Sequence, residues 1–283
     1  MENIKTIGIA GAGTMGAGIA QVCAQAGFKV ILFDLQPTIL DKAKASIQSS
    51  LNKLEASGKI PADSALNYIS NITFTHKFED IICDLIIEAI IEKLEAKIEL
   101  FNQLMEINGT ACIYATNTSS IPITKISAGL KYPELLVGIH FFNPAQIMKL
   151  VEIIKGARTK SEIVQISRDF VLKVGKVPVI AADAPGFIVN RVARLYYVEC
   201  LKMLEEGVAD IETIDQIMES CGFKMGPFML MDLIGVDTNY AVTESQYQLF
   251  NYEPRFRPNR IQKQKVDAGL HGRKTKEGFY KYE

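Results

Sequence analysis

His140 is one of three histidines in 283 residues, and it opens the stretch HFFNPAQIMKLVEIIKG, residues 140–156. An imidazole is the side chain best matched to moving a proton near neutral pH. Glu152 follows twelve residues later, inside an apolar run. Two readings compete. In one, His140 ends a buried strand with an imidazole half satisfied by its surroundings. In the other it is a base: the Glu152 carboxylate accepts a hydrogen bond from one ring nitrogen and leaves the second free to take a proton. The other histidines have weaker settings, His76 in a polar stretch and His271 in a basic tail.

A second group of residues addresses phosphate. In IGIAGAGTMGAGIAQVCAQAGFKVILFD, Gly11, Gly13 and Gly16 have GxGxxG spacing. The spacing alone is common. Here a strand pattern leads into it, a helical pattern leaves it, and the next strand pattern ends in Asp34, eighteen residues past Gly16. That is the context of a dinucleotide fingerprint. Gly11 permits the tight turn, Gly13 lets the backbone approach a pyrophosphate, and Gly16 lets helix and strand pack closely. The helix opening at Thr14 and Met15 turns unpaired amides towards the phosphates. Asp34 would accept from the ribose 2′-hydroxyl of NAD and repel the 2′-phosphate of NADP. Leu35 and Gln36 supply no arginine for that phosphate, so NAD is the expected cofactor.

Such residues need a scaffold that brings strand ends together. Over residues 4–182 short β-branched runs (TIGIA, KVILFD, DLIIEA, ACIYATN, LLVGIHFF, KLVEIIKG, KVPVIAA) are interleaved with helical patterns. Continuous apolar runs separated by helices predict a parallel sheet covered on both faces. His140 would then end a strand at the edge where ligands collect. Residues 38–70 carry a lysine-bearing helical pattern restarted at Pro61, which predicts a helical pair projecting from the sheet. At DAPGF, residues 183–187, proline and glycine change the texture. Beyond it, helices are expected over about 187–206, 210–220, 227–250 and 259–268, with no strand run before the final GFYKY. The expected fold class is α/β: an N-terminal Rossmann-type doubly wound sheet with a helical-pair excursion, residues 1–184, then an all-α C-terminal domain, residues 185–283.

Composition narrows the setting. A net charge of −1 argues against a general nucleic-acid binder, although residues 254–276 are locally basic. Cys23, Cys83, Cys112, Cys200 and Cys221 form no CxxC pair and read as thiols of a reducing compartment. A strand pattern from Ile4 leaves no room for a signal or transit peptide, and the apolar runs are too short to span a bilayer. A cytoplasmic protein is expected, without membrane or nucleic-acid partners. No His/Asp/Glu cluster has ligand spacing, so no metal is expected.

Five stretches together, ATNTSSIPITKIS, HFFNPAQIMKLVEIIKG, DAPGFIVNRV, MGPFMLMDLIGVD and GRKTKEGFYKY, resemble the 3-hydroxyacyl-CoA dehydrogenase family along the whole chain. The resemblance implies an NAD-dependent oxidation of (3S)-3-hydroxyacyl-CoA to 3-oxoacyl-CoA, and its reversal, by a homodimer. It implies roles residue by residue. His140 matches the catalytic base and Glu152 its orienting carboxylate. Ser119 matches the serine that hydrogen-bonds the substrate oxygen, and Asn190 the asparagine that positions substrate and histidine. Glu92, Lys97, Ser119, Asn143 and Lys274 fall at positions near the cofactor's ribose and nicotinamide. Ser50 and Lys53 match positions beside coenzyme A, whereas Ser57 stands where the family often has a lysine.

The acyl chain is less determined. RVARLYYVECLKMLEEG after Asn190 resembles the branch acting on 3-hydroxyadipyl-CoA in phenylacetate degradation more than the 3-hydroxybutyryl branch. Arg194 would lie one helical turn beyond Asn190, where a guanidinium could pair with a terminal carboxylate. A surface or domain-interface salt bridge is the competing role for Arg194. Two other readings of the chain are weighed: a hydroxy-acid dehydrogenase without coenzyme A would lack the helical excursion, and a non-catalytic NAD-binding protein would lack one of Ser119, His140, Glu152 or Asn190.

Overall fold

A computed structural model describes residues 4–283. The chain divides into two compact units that meet in sequence at Ala184 and Pro185. The first unit is built on a twisted sheet. Its elements run β1 (Thr6–Ala10), α1 (Thr14–Gln25), β2 (Lys29–Phe33), α2 (Pro37–Ala56), α3 (Ser64–Ser70), β3 (Ile72–Thr75) and β4 (Leu85–Glu88). There follow α4 (Leu94–Asn108), β5 (Ile113–Thr116), α5 (Ile123–Ser127), β6 (Leu136–Phe141), β7 (Leu150–Lys155), α6 (Ser161–Lys173) and β8 (Val177–Ala182).

Among the described residues the strand order is β3-β2-β1-β4-β5-β6-β7-β8. The order reverses between β1 and β4, which opens a crevice at the carboxyl ends of the strands. The central strands β4, β5 and β6 are buried along their whole length, as expected where both faces are covered. One expectation is refined. β7 runs antiparallel to β6, because the residues between them, 142–149, are too few for a crossover helix. β8 then pairs parallel with β7. The projecting helical pair is α2 and α3.

The second unit is helical: α7 (Val189–Glu205), α8 (Ile211–Ser220), α9 (Pro227–Ile234), α10 (Val236–Leu249) and α11 (Arg260–Asp267). The helix expected over 227–250 is two, broken at Gly235, whose φ of 101° continues no helix. The final GFYKY forms no strand: Lys281 makes an isolated bridge to Glu277, which itself bridges to Gly272. Two carboxylates fasten that tail. Asp215 accepts from Phe228 N, Met229 N and Tyr280 Oη. Asp232 accepts from Phe279 N, Tyr280 N and Tyr282 Oη. A Cβ at Gly226 would stand 2.3 Å from Asp215, and one at Gly278 2.1 Å from Asp232. These two glycines in the C-terminal signatures are packing requirements.

Candidate active site

The glycine-rich turn links β1 to α1. Gly11 has φ 105°, and a Cβ there would stand 2.6 Å from the Ala89 carbonyl oxygen. A Cβ at Gly16 would stand 1.8 Å from the Gly11 carbonyl oxygen. Nothing lies within 4 Å of a Cβ built at Gly13, and no side chain caps the first turn of α1. The donors and the space that a pyrophosphate needs are therefore both present. Asp34, at the end of β2, accepts from Ala12 N at 2.9 Å and Gln36 N at 3.0 Å. It is half-exposed, and each carboxylate oxygen has a further lone pair for a ribose hydroxyl. These residues fit a dinucleotide.

His140 lies one residue before the end of β6, and antiparallel pairing sets it directly opposite Glu152 of β7. Both are buried, and Nδ1 of His140 is 2.8 Å from Oε2 of Glu152. The contact assigns the ring tautomer: Nδ1–H donates to the carboxylate, and Nε2 is the basic atom. The loop after β6 is held in turn. Lys176 Nζ donates to the carbonyls of Ala145 and Met148 at 2.7 and 2.8 Å, and burial lowers its pKa. The Asn143–Pro144 peptide bond is cis.

Ser119 lies just past β5. Asn117 Oδ1 accepts from Phe141 N at 2.8 Å, so the end of the His140 strand is tied to the Ser119 loop. Glu92 Oε1 gathers the same loop by accepting from the Thr118 hydroxyl, Ser119 N, Ser120 N and the Ser120 hydroxyl. Burial alone would raise the Glu92 pKa, but Lys97 and these donors outweigh it and hold the group low.

Lys97, expected to contact the cofactor, is 1% exposed, and its ammonium lies 2.6 Å from Glu88 and 3.1 Å from Glu92. Its direct partners are these carboxylates. Glu88, Thr116, Asn117 and Lys176 escaped the motif reading. The one signal in the sequence was Glu88 itself, a charge closing an otherwise apolar strand run.

Other expected site residues are distributed along the elements. Ser50 and Lys53 share a face of α2, Ser50 half-buried and Lys53 exposed. The Ser57 hydroxyl donates to its own helix at Leu54 O, 3.0 Å. A cleft of about 290 Å³ between α1 and α2 is lined by Gly13, Thr14, Lys42, Ser46 and Gln146 among others. A larger cavity of about 350 Å³ borders Ile4, Asp84 and Lys160 and holds none of the proton-transfer residues. Asn143 is exposed in the loop after β6.

In the helical unit Asn190 lies in the first turn of α7. Lys274 pairs with Asp237 at 2.6 Å. Arg194 is 3% exposed, and Nη1 donates to Asn239 O, Asn239 Oδ1 and Thr243 Oγ1 at 2.9, 3.0 and 2.8 Å. Neither role weighed for it, pairing with a ligand carboxylate or forming a salt bridge, matches these partners. Nη1 of the guanidinium is held by α10 of its own unit, whereas Nε is buried without a hydrogen-bond partner.

Comparison with known proteins adds independent findings. Residues 6–184 match the model for the NAD binding domain of 3-hydroxyacyl-CoA dehydrogenase, and residues 186–282 match the model for the C-terminal domain of the same enzyme. The chain is 44% identical to the 3-hydroxyadipyl-CoA dehydrogenase of Escherichia coli K12, covering 99% of this chain and 59% of that one. It is thus shorter than that relative. It is 42% identical to a probable 3-hydroxybutyryl-CoA dehydrogenase of Deinococcus radiodurans, covering 97% of this chain and 99% of that one. The crystal structure of (S)-3-hydroxybutyryl-CoA dehydrogenase from Ralstonia eutropha superimposes with a TM-score of 0.95 at 37% identity, covering 99% and 100% of the two chains. With both halves matched in order, this chain belongs to the NAD-dependent 3-hydroxyacyl-CoA dehydrogenase family.

Proposed function

We propose that the chain oxidises a (3S)-3-hydroxyacyl-CoA to the 3-oxoacyl-CoA, and catalyses the reverse reduction, with His140 as the proton acceptor. The observation that carries this is the 2.8 Å contact between His140 Nδ1 and Glu152 Oε2, which makes Nε2 the proton-accepting nitrogen. Bound NAD supplies the hydride acceptor for C3. In oxidation Nε2 takes the 3-hydroxyl proton, and Glu152 steadies the resulting imidazolium. In reduction that proton returns to the 3-keto oxygen. General-base catalysis of this kind contributes about 10²–10⁴-fold. Ser119 donates to the substrate oxygen, Asn190 orients the substrate, and Ser50 and Lys53 of α2 meet coenzyme A.

The α2–α3 excursion favours a coenzyme A ester over a free hydroxy acid. Among acyl chains, 3-hydroxybutyryl-CoA and 3-hydroxyadipyl-CoA are the two leading substrates, since relatives with similar identity carry each name. Acetoacetyl-CoA and NADH, followed as loss of NADH absorbance, test the reaction; an inactive, folded, NADH-binding protein would sink the reading. Comparing kcat/KM across acyl-CoAs of different length and ω-group assigns the chain.

The assembly proposed is a homodimer through the helical unit, where Val192 and Leu195 on one face of α7 are 67% and 43% exposed. Light scattering on the eluted peak checks it, and a monomer at micromolar concentration refutes it. Four buried free thiols fit a cytoplasmic setting. No helix among the described residues is long and apolar enough to cross a membrane.

A further inference from the structure

Glu88 closes β4 and is 0% exposed. Its Oε1 accepts from Ile90 N at 2.8 Å and from Lys97 Nζ at 2.6 Å, and its Oε2 accepts from Thr116 Oγ1 at 2.7 Å. Its backbone carbonyl accepts from Asn117 N at 2.8 Å. Burying a carboxylate is costly, and replacing such an ion pair with apolar groups often leaves a fold no less stable. The sheet has no shortage of apolar contacts at this point, so fold stability alone is a weak reason for a charge here.

The partners lead elsewhere. Lys97 continues to Glu92 at 3.1 Å, and Glu92 gathers Thr118, Ser119 and Ser120. The chain of contacts thus starts inside the sheet and ends on the loop of Ser119. It lies where the strand order reverses, the crevice in which a dinucleotide lies in this class of sheet. Ala89, next to Glu88, carries the carbonyl against which Gly11 packs. The Ser119 loop is therefore tied to one buried carboxylate, and the residue after that carboxylate packs its backbone against the cofactor turn.

Resting on the reading of the site given above, we propose that Glu88 is a positioning residue: it fixes Lys97, Lys97 fixes Glu92, and Glu92 sets the path of residues 118–120, so that cofactor binding and the placement of Ser119 share one geometry. Glu88 touches neither reactant. Its effect passes through Lys97.

The test is Glu88→Gln, which keeps the size and removes the charge that holds Lys97. NADH affinity, read by quenching or enhancement of NADH fluorescence, should weaken about tenfold, and kcat/KM for acetoacetyl-CoA should fall about ten- to a hundredfold, the range for displaced positioning groups. A purely structural role would lower Tm and leave both values, per folded molecule, at wild type; that result overturns the proposal. A double-mutant cycle tests the route. Glu88→Gln combined with Lys97→Met should bind NADH no worse than Lys97→Met alone, and additive losses would refute transmission through Lys97. If Glu88→Gln does not fold, Glu88→Asp keeps the charge but draws it back from Lys97, and should move both readouts in the same direction by less; wild-type values there would overturn the idea. Wild-type turnover of acetoacetyl-CoA, measured alongside, separates failure of this proposal from failure of the functional reading.

Discussion

His140 and Glu152 face each other across the β6–β7 pair, with Nδ1 and Oε2 2.8 Å apart in a buried setting. The pairing is a product of register: a one-residue slip would turn either side chain to the opposite face of the sheet. His140→Ala should lose at least about 10²-fold in kcat, in line with general-base contributions, with NADH affinity nearly unchanged. Glu152→Gln should also lose kcat, because an amide cannot stabilise an imidazolium and its NH₂ can face Nδ1 as a donor. Steady-state kinetics and NADH titration decide it, and a His140→Ala protein with most of its activity would refute the assignment.

Asp34 should enforce NADH over NADPH, since its carboxylate stands beside the glycine turn and accepts from Ala12 N. Asp34→Ala should narrow the kcat/KM ratio between the two cofactors, mainly by losing NADH. A wild-type enzyme that prefers NADPH would overturn the reasoning.

The glycines separate folding from binding. Gly16→Ala places a methyl 1.8 Å from a backbone carbonyl oxygen, so the turn must shift, at a cost of about 1–3 kcal/mol or more. Gly13→Ala meets nothing within 4 Å, so it should fold with a wild-type Tm. Its methyl would instead occupy the space of the pyrophosphate, and NADH binding should weaken. Thermal melts beside NADH titrations check both, and a Gly13→Ala protein that binds NADH normally would remove the pyrophosphate from this turn.

The features legible in the sequence were those set by local rules. The glycine turn, the closing Asp34 and the run of apolar strands each follow from nearest neighbours in the chain. The edge strand β3 escaped because ITFT is short and half-exposed. The direction of β7 was implicit only in the length of the linker before it. Glu88, Thr116 and Lys97 were harder for a physical reason: a buried ion pair is specified by two strand ends and a helix start, and no spacing rule links them. Lys97 resembles a cofactor residue of the family, and its immediate partners are carboxylates.

Thiol chemistry should single out Cys221. It is exposed, and Cys23, Cys83, Cys112 and Cys200 are buried. Burial pushes the Cys200 pKa to about 11 and that of Cys83 to about 12, and raises Cys23 and Cys112 as well. Since the thiolate is the reactive form, a disulfide reagent at neutral pH should titrate one thiol per native chain and all five after denaturation. Two or more fast thiols in the folded protein would contradict this burial.

Arg194 marks where a helical-face argument gave way to packing. One turn beyond Asn190, its side chain runs into the helical unit, donates to Asn239 and Thr243 of α10, and lies 5.1 Å from the centre of the Tyr197 ring. Burial lowers its pKa to about 10, so it stays charged at neutral pH. Turning the guanidinium to a ligand's ω-carboxylate would give up the three hydrogen bonds of Nη1, each worth about 0.5–1.5 kcal/mol or more for a charged donor, although Asn239 O and Oδ1 would keep Thr243 Oγ1 and Gln262 Nε2 as donors. The expectation is therefore a stability effect without a specificity effect. Arg194→Met should lower the unfolding free energy by about 2–4 kcal/mol through those lost bonds. The ratio of kcat/KM for 3-hydroxyadipyl-CoA to that for 3-hydroxybutyryl-CoA should stay within about twofold of wild type, less than 1 kcal/mol of discrimination. Urea melts and paired substrate kinetics give the answer. A variant with wild-type stability and a tenfold drop in that ratio would return Arg194 to the acyl-chain pocket.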